Sequence, residues 1–233
     1  KRIDGSGINK SKIQILEALL RLRQAACHPG LIDKSKVAEP SAKLDLLLPQ
    51  LAEVLDEGHK ALVFSQFTSM LDLIAAALEK AGIPYVMLTG DATDRVTPVK
   101  RFKQGEVPLF LISLKAGGFG LNLTAADYVI IADPWWNPAV ENQATDRAFR
   151  IGQNRNVLVH KFVCQGTIEE KIDALIEEKT QLATDLLEGG AEKMLTEMTD
   201  TELIQLVSLD VEKVNLRPRS RGCATALSVK VIA

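Results

Sequence analysis

Cysteine and histidine are scarce in this chain of 233 residues, and each scarcity removes a class of site. Cys27, Cys164 and Cys223 lie far apart and are odd in number. That excludes a disulfide framework and fits a reducing compartment. His28, His59 and His160 show no metal-ligand spacing, so no metal site is expected on this chain. No apolar run is long enough to span a bilayer and no signal-peptide pattern is present, so no membrane partner is expected. Charge of one sign is also lacking. The net charge of −2 exerts no global pull on nucleic acid, and any DNA binding must come from a local basic surface. There is no internal repeat.

Hydrophobic residues are plentiful at 46%, enough for a substantial core in one large domain or one domain with an appendage. Apolar runs at Ala61–Phe64, Tyr85–Leu88, Leu109–Ser113, Tyr128–Ala132 and Val157–Val163 read as strands buried in a parallel sheet. Helical patterns lie between them at Ser69–Lys80, Thr97–Lys103 and Pro138–Arg150. Repeated strand–helix–strand units predict an α/β fold, an open parallel sheet with helices on both faces. Two helices precede it, about Ile13–Ala26 and Ala42–Leu55. A long helix follows from about Ile168 to Leu187, with Thr167 as its cap. A Gly189–Gly190 break then leads to a short helix near Glu202–Val207.

The stretch Leu109–Gln153 carries the most chemistry. It reads as strand, glycine-rich turn, strand and short helix, with Asn137 as cap and Pro138 in the first turn. Spacings of four and three place Gln143, Arg147 and Arg150 on one stripe, beside an apolar stripe of Ala144, Ala148 and Ile151. Two fixed guanidinium groups beside a glycine turn suit a polyphosphate, because arginine keeps its charge and presents a planar donor fork. The competing reading is a solvated helix whose arginines pair with Glu141 and Asp146.

QATDRAFRIGQ (143–153) resembles the Q-x-x-x-R-x-x-R-x-G-Q box that closes the second motor lobe of Swi/Snf-type ATPases, the DNA-translocating branch of superfamily-two helicases. SLKAGGFGLNLTAADYVIIADPWWNP is similar to that family's preceding box, and RLRQAACHPGLID to a segment just inside its second lobe. Phe149 stands where the family most often has His. The resemblance covers about Leu19 to Leu187. It implies a RecA-like lobe with a C-terminal bracing helix. It divides the chain into linker and first helix (1–40), helicase C-terminal lobe (41–165), brace helices (166–210) and a tail (211–233), possibly disordered. Its RPRSRG cluster resembles nothing recognised.

Residue by residue, the resemblance implies arginine fingers at Arg147 and Arg150 beside Gln143, a ribose-facing and coupling segment at Gly120 and Asn122, and DNA-backbone contacts from Ser65, Gln66, Ser113 and Lys115. Arg95, Lys100, Arg101 and Lys103 are further phosphate candidates, with a solvated helix face as the plain alternative. Trp135 and Trp136 suit core packing or lobe closure. The implied cofactor is ATP, with Mg2+ held mainly by a first RecA-like lobe. The implied partners are that lobe and double-stranded DNA, and the implied location is the prokaryotic cytoplasm or, in a eukaryote, the nucleus. The short spacing between boxes fits a compact prokaryotic remodeler.

Three look-alikes fail on context. Asp56-Glu57-Gly58-His59 spells the family's acidic box, but that box must end a buried strand. Here it follows LDLLLPQLAEVL and leads into ALVF, so it reads as a helix end and turn. Asp4–Ser11 imitates a P-loop, yet Asp4 and Asn9 occupy its glycine positions, and it reads as a flexible linker. Gly118-Phe119-Gly120 begins a dinucleotide fingerprint that Leu123 breaks. Without a P-loop the sequence reads as half of a two-lobe motor. The competing class is a non-catalytic DNA- or protein-binding module of the same fold. A small-molecule α/β enzyme is disfavoured, because no nucleophile–base pair appears.

Overall fold

The computed structural model describes residues 5–117, 121–135, 138–148, 156–182 and 227–232, without the side chains of 5–12, 117, 138–140, 144, 178–182 and 227–232. Helix α1 (Gly5–Cys27) leads through two short 3-10 turns to α2 (Ala42–Asp56). Alternation follows: β1 (Ala61–Ser65), α3 (Thr68–Ala81), β2 (Tyr85–Leu88), α4 (Val96–Gln104), β3 (Leu109–Ser113) and the single turn α5 (Leu114–Gly117). Then come β4 (Tyr128–Ile131), α6 (Pro138–Thr145), β5 (Leu158–Cys164), α7 (Ile168–Leu182) and β6 (Leu227–Ile232). The sheet order is β2-β3-β1-β4-β5-β6. The first five strands are parallel and β6 is antiparallel to β5.

The parallel strands are largely apolar because both faces are covered, with His160 and Lys161 of β5 as polar interruptions. Leu62, Phe64, Phe110, Ile112, Val129 and Ile131 enter one core with Phe102 of α4 and Ala148 beyond α6. Their neighbours Ala61, Val63, Leu109, Leu111 and Ile130 enter the other, against α2 and α3. Alternate residues therefore feed opposite cores, as the two-residue period of a strand requires.

The five expected strands and their order of use hold, with ends shifted by a residue. Three expectations change. The P-loop look-alike is not a linker: residues 5–11 are the opening turns of α1. Helix α6 stops at Thr145, five residues short of Arg150. Thr145 Oγ1 donates to the carbonyls of Glu141 and Asn142, both at 2.9 Å, a bond type that bends and weakens helices. Nor is the 211–233 tail wholly without structure. Residues 227–232, LSVKVI, add an edge strand, with Val159 opposite Ile232 and Cys164 opposite Leu227. An alternating, β-branched segment beside the open edge of β5 satisfies backbone groups that would otherwise stay unpaired. In α7, Ile168, Ile172 and Ile176 are buried within the chain with Glu169 beside them, and Leu175 is half-buried. Thr167 caps this helix as expected, its Oγ1 accepting from the Glu169 amide at 3.2 Å.

The look-alike acidic box is the end of α2, as expected. Asp56 is the last helical residue, and Gly58 takes a left-handed φ of 82° that returns the chain toward β1. An added Cβ on Gly58 would meet nothing within 4 Å, so Gly58→Ala tests backbone conformation alone. It is expected to cost about 1 kcal/mol in a denaturant titration.

Candidate functional site

Parallel strands gather their polar residues at their C-terminal ends, where open α/β sheets bind ligands. Here the ends of β1, β3 and β4 lie side by side, since β1 pairs with both others. Ser65 closes β1 and is fully buried, its hydroxyl bonded to the Asp133 carboxylate. The other Asp133 oxygen accepts the Gln66 amide at 3.0 Å. Ser113 closes β3, and its buried hydroxyl accepts the Ala116 amide at 3.2 Å to start α5. Neither serine faces solvent: both hydroxyls are engaged inside the lobe. Gln66 is half-buried with its Nε2 lacking a hydrogen-bond partner, and Lys115 is exposed. Lys115 is available at the surface, whereas the Gln66 side chain is only partly so, its Nε2 being buried. Asn122 is exposed, its Oδ1 accepting from the Thr124 amide and hydroxyl. Gly120, Arg150 and Trp136 lie outside the described residues.

Among the other expected cations, Lys100 and Lys103 are exposed. Arg101 pairs with Glu106 at 3.0 Å, and Arg95 donates to the Gly90 carbonyl at 3.0 Å.

The expected helical stripe is broken. Gln143 is exposed on α6, whereas Arg147 sits in the turn after it at 6% exposure. The Arg147 carbonyl accepts the Leu123 amide at 2.9 Å, which fastens the arginine turn to the loop bearing Asn122. Glu141, a candidate partner for the arginines, is occupied elsewhere: it accepts the Trp135 amide at 2.6 Å and the Lys161 ammonium at 2.8 Å.

Buried charges form a second layer that the motifs did not reveal. Lys43 of α2 is 1% exposed and donates to the Ala132 carbonyl at 2.6 Å and to Glu169 at 2.8 Å. Burial works against its charge, but the surrounding acidic groups outweigh it and hold the ammonium above the usual lysine range. The anion responsible is Glu169, because burial raises Cys27 well above its ordinary value and keeps it a thiol. Arg23 donates to the Pro134 carbonyl at 2.6 Å and lies over the rings of Phe67 and Trp135. Burial lowers its pKa, with Asp133 opposing. Asp133 is itself raised by burial, against Lys43, Ser65, Gln66 and Arg23. The turn from Ala132 to Trp135 is thus caught by side chains from α1, α2 and α6. A signal was visible for Lys43, which shares a helical stripe with buried Leu47, Leu51 and Val54.

The parallel sheet, the arginine-bearing turn and the polar strand ends define a RecA-like lobe of the helicase type. Residues 42–152 match the helicase conserved C-terminal domain. The chain is 36% identical to the Sulfolobus solfataricus SWI2/SNF2 ATPase C-terminal domain, covering 86% of this chain and 83% of that one with a TM-score of 0.70. It belongs to the SWI2/SNF2 ATPase family, in its C-terminal domain. The S. solfataricus ATPase core solved with double-stranded DNA is 39% identical over 87% of this chain and 43% of that one, with a TM-score of 0.74. Bacillus subtilis YwqA, named as a candidate ATP-dependent helicase/translocase, is 44% identical over 85% of this chain and 22% of its own length. The Cryptococcus neoformans DNA repair protein RAD5 is 46% identical over 70% of this chain. The chain spans 22% and 14% of the lengths of these two relatives.

Proposed function

We propose that this chain is the second motor lobe of a DNA-dependent ATPase that moves along double-stranded DNA. The bond from the Leu123 amide to the Arg147 carbonyl carries this reading, because it ties the arginine turn to the loop of Asn122. In that arrangement a first RecA-like lobe holds ATP and Mg2+. Arg147 and Arg150 stabilise charge on the γ-phosphate as arginine fingers, and Gln143 helps to orient them. Gly120 and Asn122 face the nucleotide. Lys115 and Gln66 contact DNA phosphates, while Ser65 and Ser113 support them from beneath. Contacts to phosphate carry no base information, so sequence preference is small. The relatives' names support the reading: one is a candidate helicase/translocase, another a repair protein, and a structural neighbour was solved on duplex DNA. A site in the cytoplasm at the nucleoid, or in a nucleus, follows from the same role.

The burial of Arg147 favours a second reading, in which the lobe serves only as a DNA- or protein-binding module. In the motor reading, cleft closure must bring that guanidinium out.

The chain alone is expected to hydrolyse ATP at background rate with or without duplex DNA, since its sequence contains no P-loop. Magnesium-dependent turnover by the purified chain would sink the half-motor reading. Duplex binding is expected to be weak and indifferent to sequence. With Lys115 as the one cation among the proposed contacts, affinity would fall about three- to fourfold between about 50 and 200 mM salt. Lys115→Glu should weaken it further in a mobility assay, and tight, sequence-selective binding would contradict the assignment.

A further inference from the structure

Lys161 is a buried lysine in the middle of β5, and neither motif nor mechanism has given it a task. Its ammonium is held by two carboxylates, Glu141 of α6 at 2.8 Å and Asp173 of α7 at 2.9 Å, all three nearly inaccessible to solvent. Glu141 is doubly engaged, since its other oxygen accepts the Trp135 amide at 2.6 Å. The first turn of α6 is therefore fixed to β5 on one side and to the strand-end turn on the other.

From Glu141 the hold continues without a gap to the arginine. Thr145 Oγ1 donates to the Glu141 carbonyl, the Asp146 amide donates to Asn142 at 2.9 Å, and the Ala148 amide to Thr145 at 3.0 Å. Arg147 lies inside that run, and its own carbonyl is held by Leu123. A helix of eight residues is too short to hold its shape in isolation and depends on tertiary contacts.

We propose that Glu141, anchored on Lys161, is a positioning residue for the arginine turn: the buried ion pair fixes where Arg147 stands relative to the loop of Asn122. The inference rests on the motor reading given above and names a part of the same site. Burial disfavours the Glu141 charge, and Lys161 is the group that most opposes this, so the carboxylate depends on its partner. A buried ion pair contributes little net stability but strongly selects one geometry, the use suggested here.

Lys161→Met would strand two buried carboxylates and unfold the lobe for trivial reasons. Glu141→Gln avoids this, because Lys161 and Asp173 remain a balanced pair and the glutamine oxygen can still accept the Trp135 amide. Hydrogen exchange of the chain, read amide by amide, is the first measurement. Glu141→Gln is expected to speed exchange of Leu123, whose partner is the Arg147 carbonyl, by about tenfold or more, with Val63 in β1 and Leu111 in β3 unchanged. Unchanged Leu123 exchange overturns the proposal, and so does equal acceleration at Val63 and Leu111, which would mean general loosening. The second measurement is steady-state ATPase in the complete protein that carries this lobe. Glu141→Gln should lower kcat by about tenfold or more while KM for ATP and duplex affinity hold, as misplaced catalytic groups do. Loss of KM or duplex affinity in place of kcat overturns the positioning role. Loss of turnover in Arg147→Ala but not in Glu141→Gln overturns the positioning role alone. No loss in either overturns the arginine reading beneath it.

Discussion

Arg147→Ala, placed in the complete motor, is expected to lower DNA-stimulated ATP turnover by about three orders of magnitude, the scale of a lost arginine finger. Nucleotide affinity should change much less, because the first lobe supplies most ATP contacts. Arg147→Lys should not rescue, since an ammonium cannot reproduce the planar fork. On a solvated helix face, the loss of Arg147 would leave stability nearly untouched. Its burial changes that expectation. Removing a buried guanidinium leaves a hole and releases its neighbours, so a drop in melting temperature should accompany the loss of rate. Arg150→Ala should match it in rate. The assay is steady-state ATPase with saturating duplex, beside a thermal melt. If both variants keep near wild-type turnover, the arginines belong to a folding element and the module reading moves ahead.

Lys43→Met should produce a large loss of stability. The ammonium is 1% exposed, and its departure strands the Glu169 carboxylate, also 1% exposed, together with the Ala132 carbonyl. Breaking one side of a buried pair costs about 3–5 kcal/mol. For a domain of this size that lowers the melting temperature by roughly 10 °C. Glu169 keeps the Cys164 amide at 3.0 Å as a partner, which holds the cost toward the lower end. Lys43→Met combined with Glu169→Gln removes both charges and should recover much of the loss. A single variant that melts like the wild type would show that the pair is not coupled to folding. Alkaline titration gives a separate check. The folded pKa of Lys43 is raised above its ordinary value of 10.5, so its contribution is complete below that pH and disappears as pH climbs through the folded value.

The parallel strands were legible because burial on both faces favours apolar residues, and the sequence shows apolar runs that are unbroken in β1 and β3 up to their closing serines. Strand β6 was not, because nothing local links residues 227–232 to β5; only the open edge of a distant strand selects them. The arginines stand out by their spacing, but α6 ends at Thr145, before Arg147. A periodicity argument cannot see Thr145 back-bonding or the Leu123 amide taking the Arg147 carbonyl. Ser65 and Ser113 were placed correctly at strand ends, but the direction of a short hydroxyl depends on Asp133 and on α5, which arrive from other parts of the chain. Lys161 and Lys43 were the plainest omissions. Each interrupts an apolar pattern, and a charge on the wrong stripe is itself the signal of a buried partner.

Lys43 and Arg23 also bear on the order in which the lobe can assemble. Their partners are far along the chain: Arg23 meets Pro134 across 111 residues and Lys43 meets Glu169 across 126. Loop closure over such separations is slow relative to the formation of neighbouring hairpins and helices. On a ribosome, α1 and α2 emerge early, but the carboxylate that neutralises Lys43 is not made until α7 is. Within the lobe, α1 and α2 therefore wait for α7, the last described helix. A translational pause or truncation between β5 and α7 would leave the nascent chain with an unpaired ammonium where its interior should close, a state suited to capture by chaperones rather than to release.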